Sequence, residues 1–128
     1  MMPLLLLATA SADLDALDQA VGRCDRIAAN PVFATEAARR SQFLLDAYRE
    51  QETIVNDRLA LADHWRELRE AGTIKTADEK QLDLQQAALD DRQKALNDKR
   101  MLEGIRQDAM DTMRRYFLNN CPAGKSDK

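Results

Sequence analysis

Two cysteines, Cys24 and Cys121, lie at equal distances from a turn signal at Gly72 and Thr73, and these are the only cysteines of the chain. The number of residues from Cys24 to Gly72 equals the number from Thr73 to Cys121. A reversal of the chain at this turn would bring the two thiols together. We therefore predict an antiparallel helical hairpin that is closed at its base by a Cys24–Cys121 disulfide.

The composition favours long helices over strands. Charged residues make up 32% of the chain and aromatic residues 5%, and there are only four glycines and three prolines among 128 residues. Apolar residues recur at spacings of three and four rather than in alternation, which is typical of amphipathic helices. We expect one all-α, coiled-coil-like domain over residues 13–121.

The amino terminus predicts an export signal. Residues 4–7 are four leucines, and Ala10-Ser11-Ala12 has the small-x-small form of a signal-peptidase site. We predict a signal peptide over residues 1–12. Its apolar run is short and it lacks basic residues, as in a truncated signal. The alternative is a disordered cytosolic terminus. Because disulfides persist in oxidising compartments, we expect a periplasmic or secreted protein.

Charge and segment length argue against several kinds of partner. The formal net charge is −3 and the basic residues form no stripe, so we expect no binding of nucleic acid. Twelve residues are too few to span a bilayer, which needs about 20. No cysteine follows the predicted cleavage site directly, so we expect no lipid anchor and a soluble mature chain.

The first two helices are predicted from periodicity and from the positions of proline. The first runs from Asp13 to about Ala29, and Asn30-Pro31 should end it with a mild kink, which makes it a kinked N-terminal extension of the hairpin. The second runs from Thr35 to Ala71. Its predicted apolar line contains Leu44, Tyr48, Val55, Leu59 and Ala62, and then drifts to Leu61, Trp65 and Leu68.

The hairpin tip has the clearest local signals. Gly72 fits the C′ position that closes a helix, and Thr76 with Glu79 matches a capping box that opens the next one. The third helix should extend from Ala77 to about Asn119. Its main heptad line is Leu82, Leu89, Leu96, Met110 and Phe117, interrupted by Glu103, and a second line is Ala88, Ala95, Leu102, Ala109 and Tyr116. Pro122 should end this helix, and we expect residues 122–128 to be a disordered tail.

The third helix is predicted to need more than one partner, because a single neighbouring helix cannot cover two apolar lines. We expect a protein partner or self-association. The flexible side chains of Met101, Met110 and Met113, with Trp65, form a candidate interaction surface, and filling of the core is the alternative role for these residues.

Residues with catalytic or metal-binding chemistry are few. His64 is the only histidine, and beside Asp63 and Glu67 it makes at most a weak metal site, so we interpret it as a solvated surface residue. The sequence has no nucleophile arrangement and no phosphate-binding glycine loop. We expect a protein that is not an enzyme and that needs no cofactor.

The predicted outline is similar to that of periplasmic helical-hairpin chaperones, although no motif of that family is present and the slightly acidic charge differs from the basic arms typical of it. This similarity suggests an exported helical interaction protein, such as an envelope chaperone or scaffold. A small structural coiled-coil oligomer and a ligand-binding helical bundle are the alternatives.

Overall fold

The protein is all-α over the residues that the computed structural model describes, 13–121, and no strand occurs among them. The helices are α1 (13–22), α2 (Arg26–Glu70) and α3 (Thr76–Asn120). Cys24 and Cys121 form a disulfide with their Cα atoms 5.4 Å apart. The predicted all-α hairpin closed by this disulfide is confirmed. The predictions of a signal peptide and of a disordered tail concern residues outside the described range.

The break between α1 and α2 lies at residues 23–25. Cys24 has a φ of 53°, in the left-handed region, and it occupies the position that usually carries glycine at a helix C-terminus. The amides of Cys24 and Asp25 donate to the carbonyls of Val21 and Ala20, which is the Schellman pattern. Asp25 then caps α2, because its carboxylate accepts a hydrogen bond from the amide of Ala28 at 3.2 Å.

The prediction that Asn30-Pro31 separates the first two helices is therefore wrong, since Pro31 lies inside α2. Proline there removes the hydrogen bond that its own amide would make to the carbonyl of Ile27, and its ring crowds that carbonyl. The side chain of Ile27 is 91% exposed, so this carbonyl lies on the solvent side of α2, where water can replace the lost donor. The cap at Asp25 and the turn at Cys24 decide the boundary instead.

The helices belong to two compact units, of which unit 2 is Gln42–Leu102 and unit 1 contains the described residues on either side of it. In unit 1, α1 packs against the beginning of α2 and the end of α3. The buried residues of this core are Leu17, Ala20, Val21, Ala29, Met110, Phe117 and Cys121. The rings of Phe33 and Phe117 lie 5.7 Å apart. As expected, the apolar side chains of α1 lie near the carboxyl end of α3.

In unit 2, the last part of α2 and the first part of α3 form an antiparallel pair with a thin core. Ala47, Ile54 and Leu96 form its buried cluster, with Phe43 packed against them. The apolar line predicted for α2 is displaced from this core, because four of its residues are 45–66% exposed; they are Leu44, Tyr48, Val55 and Leu59. Helix α2 therefore carries a second apolar stripe that contains Phe43, Ala47 and Ile54. The heptad line of α3 contacts this second stripe.

The turn between α2 and α3 is closed by Gly72, which has a φ of 66°. The amides of Gly72 and Thr73 donate to the carbonyls of Arg69 and Leu68, a second Schellman motif. At the start of α3, the amide of Lys75 donates to the carboxylate of Asp78 at 3.0 Å. Asp78 thus makes the bond that the predicted capping box assigns to Glu79, and its partner is one residue before Thr76. The reciprocal half of a box is absent at this position, because the side chain of Lys75 has no hydrogen-bond acceptor.

Candidate interaction surfaces

A charged cluster lies between α2 and α3 in unit 1. Glu36 and Glu103 are only 8% and 7% exposed, and the guanidinium of Arg39 lies between their carboxylates. Arg39 donates two hydrogen bonds to Glu103, at 2.8 and 2.9 Å, and two to Glu36, at 2.6 and 2.9 Å. Arg40 donates to Glu36 at 3.0 Å and to Asp111 at 2.9 Å. These bonds connect the two helices with matched, bidentate geometry.

The cluster keeps its carboxylates ionised. Burial raises the pKa of Glu36, but hydrogen bonds from Arg39 and Arg40 outweigh it and hold this pKa below the ordinary value of 4.5. Burial also raises the pKa of Glu103, and the bonds from Arg39 and Gln107 lower it by more. The bonds to both carboxylates raise the pKa of Arg39. Neither carboxyl group carries a proton near neutral pH, so the cluster is suited to holding helices together rather than to acid-base catalysis.

Polar pairs also occupy much of the contact between the helices in unit 2. Arg92 donates to Glu50 at 2.7 Å and to Asp57 at 2.9 Å, and the side-chain amides of Gln51 and Gln93 bond to each other. Apolar contact is left mainly to the small cluster at Ile54 described above. About half of the large apolar residues of these helix segments consequently face solvent.

Two exposed faces of unit 2 are rich in apolar side chains. The α2 apolar face consists of Leu44, Tyr48, Val55 and Leu59. The α3 apolar face consists of Leu84, Ala88, Ala95 and Leu102, in which Leu84 is 66% exposed and Leu102 is 43% exposed. Each set has the spacing of a single helix face.

The candidate residues from the sequence do not form one surface. Met110 is 2% exposed and Met113 packs beside it in the core of unit 1, so these two residues fill the core. Met101, in unit 2, is 60% exposed. Trp65 is half-buried and borders an open cleft of about 340 Å³ in unit 2. The cleft is lined by Arg58, Leu61, Ala62, Trp65, Arg69, Leu82 and Gln86.

Metal ligands are sparse in the described part of the chain. His64 is exposed, and no group of three or more His, Cys, Asp or Glu residues within 13–121 is arranged to hold a metal ion. None of the helices in this range is long and apolar enough to cross a membrane.

Comparison of the chain with known protein families, with curated proteins and with solved structures gave no match. The two apolar faces, the charged cluster and the disulfide are therefore the features from which a function can be argued.

Proposed function

We propose that the chain is an exported helical interaction protein, a chaperone or scaffold of the cell envelope, and that it is not an enzyme. The Cys24–Cys121 disulfide supports export, because such a bond persists in the periplasm or outside the cell. The small-x-small sequence Ala10-Ser11-Ala12 supports it independently.

The α3 apolar face carries the proposal of an interaction role. Leu84 and Leu102 stand exposed at its two ends, and the small side chains of Ala88 and Ala95 lie between them. Exposed apolar side chains aligned on one helix face can serve as a binding surface for another polypeptide. The two alanines leave shallow recesses, so bulky apolar side chains of another polypeptide can lie between the leucines.

An unfolded segment with regularly spaced aromatic or aliphatic residues is the client that suits this face. Such a segment gains contact by burying its side chains in the recesses, while its backbone stays exposed to water. Asp91 and Asp98 interrupt the same face with negative charge, which favours a client that also carries basic residues.

The proposal is tested by diluting a urea-unfolded β-barrel membrane protein into buffer and following its aggregation by light scattering. The oxidised protein should suppress aggregation, and the double substitution Ala88→Glu with Ala95→Glu should abolish this effect. The matched control is Ala38→Glu with Ala60→Glu, which adds the same charge at exposed positions of α2. Failure of the unaltered protein to suppress aggregation, or equal activity of both variants, would refute the proposal.

A further inference from the structure

The α2 apolar face is separate from the surface that covers the unit 2 core. Leu44 and Tyr48 are each 66% exposed, Leu59 is 61% exposed and Val55 is 45% exposed. At 3.6 residues per turn, the four side chains fall within about 60° of arc. They form a narrow stripe of the kind that pairs with one other helix rather than with a broad surface.

The stripe has the same spacing when it is read in either direction. Leu44 and Tyr48 are four residues apart, Tyr48 and Val55 seven, and Val55 and Leu59 four. A two-fold axis that passes between Gln51 and Glu52 therefore maps the stripe onto itself. It places Leu44 opposite Leu59 of a second copy, and Tyr48 opposite Val55, which is the self-complementarity that an isologous interface requires.

The charges beside the stripe distinguish the direction of pairing. Arg49 and Glu52 lie one turn apart on the same flank, and neither belongs to an ion pair within residues 13–121. Antiparallel pairing about the same axis brings Arg49 near Glu52 of the second copy, and the symmetry repeats this pair. A parallel pair would have its two-fold axis along the helices and would place these flanks on opposite sides of the seam, so Arg49 would not meet Glu52 of the second copy.

From these observations we propose that the α2 apolar face binds a second copy of this chain in antiparallel orientation, across a two-fold axis between Gln51 and Glu52. This inference rests on the proposed interaction function and deepens it by naming one partner. It leaves the α3 apolar face of each copy for clients, so one molecule can dimerise and bind a client through different helices.

The test uses the oxidised full chain and sedimentation velocity over a range of concentrations. The unaltered protein should form dimers. Arg49→Glu should raise the dimer dissociation constant about tenfold or more, since two attractive pairs become repulsive. Glu52→Arg should do the same, and the double variant that carries both changes should restore dimers. The control Lys94→Glu, which changes charge equally at an exposed position of α3, should have little effect.

Mixing the two single variants gives a second, independent readout. Arg49→Glu and Glu52→Arg chains should form heterodimers, because each repulsive flank then meets the opposite charge. A chain that stays monomeric, or dimers insensitive to all charge changes, would overturn the inference. A monomeric chain that still suppresses client aggregation would refute this inference alone, whereas a dimer without such suppression would refute the proposed function alone.

Discussion

Removing Arg39 should destabilise the protein far more than removing Glu103, although the two residues form one ion pair. In the Arg39→Met variant, the buried carboxylates of Glu36 and Glu103 lose their shared guanidinium and face each other as like charges. Breaking a buried pair in this way typically costs 3–5 kcal/mol. Since the side chain of Arg39 is 33% exposed, we expect about 3 kcal/mol, which lowers the melting temperature by roughly 10 °C.

The Glu103→Leu variant leaves a different situation. Arg39 keeps both of its hydrogen bonds to Glu36, so no buried charge becomes unpaired. The new leucine continues the apolar heptad line between Leu96 and Met110. Replacement of a buried ion by an apolar residue of similar size is often neutral or stabilising, so we expect a change within about 1 kcal/mol. Urea denaturation of both variants measures the difference, and a Glu103→Leu loss as large as that of Arg39→Met would refute this reasoning.

The same cluster predicts a pH dependence. Burial alone would raise the pKa values of Glu36 and Glu103, but their hydrogen bonds lower both below 4.5. The unfolded chain therefore binds more protons in acid, and the free energy of unfolding should fall as the pH drops from about 4.5 through the lower folded-state pKa values. Above that range these two groups contribute no slope. In Arg39→Met, Glu36 keeps only its bond from Arg40 and Glu103 keeps only its bond from Gln107, so the loss of stability on acidification should be smaller than in the unaltered protein.

Two further predictions concern the disulfide and the glycines. Reduction of the disulfide, which joins residues 97 apart, should lower the free energy of unfolding by at most about 4–5 kcal/mol. Detection of two free thiols by Ellman titration, in protein purified from the periplasm, would contradict the presence of this bond. Gly72→Ala should cost about 1 kcal/mol because Gly72 has a positive φ, whereas Gly104→Ala in helical α3 should stabilise by about 0.5–1 kcal/mol because open space surrounds its Cβ position. Thermal melts of these two alanine variants should shift in opposite directions, and a shift in the same direction would contradict the account.

The parts of the fold that follow from sequence are those with one dominant signal. The equal spacing of Cys24 and Cys121 around the turn predicts their disulfide, and the heptad spacing of α3 predicts that Leu89, Leu96 and Met110 are buried. The helical composition predicts the absence of strands from residues 13–121. In each case no competing pattern of similar strength is present.

The stripe of α2 that faces α3 could not be predicted, because its contact positions are largely polar. Arg40, Gln51 and Arg58 lie on the side of α2 that faces α3, where they bond to partners far away in the sequence. A search for apolar spacing therefore selects the exposed stripe. Glu103 misleads in the same way, since it interrupts an apolar line and yet is as buried as its neighbours.

The boundary of α1 was missed for a related reason. Proline is the residue that most strongly disfavours a helix, so Pro31 is the obvious boundary signal in the sequence. The helix instead ends at Cys24, which adopts the left-handed backbone conformation that glycine or asparagine usually adopts. No single-residue preference points to a cysteine at such a position.

The carboxylate of Glu103 has a consequence for how α3 can slide along α2 in unit 1. A seven-residue shift would place Leu96 or Met110 beside Arg39. The guanidinium of Arg39 would then lose its carboxylate acceptor on α3, and the carboxylate of Glu103 would lose its guanidinium donor. Apolar heptad positions are equivalent to one another, so an apolar heptad line alone would tolerate such a slip. A single ionised group in that series therefore makes one axial alignment energetically distinct from all others.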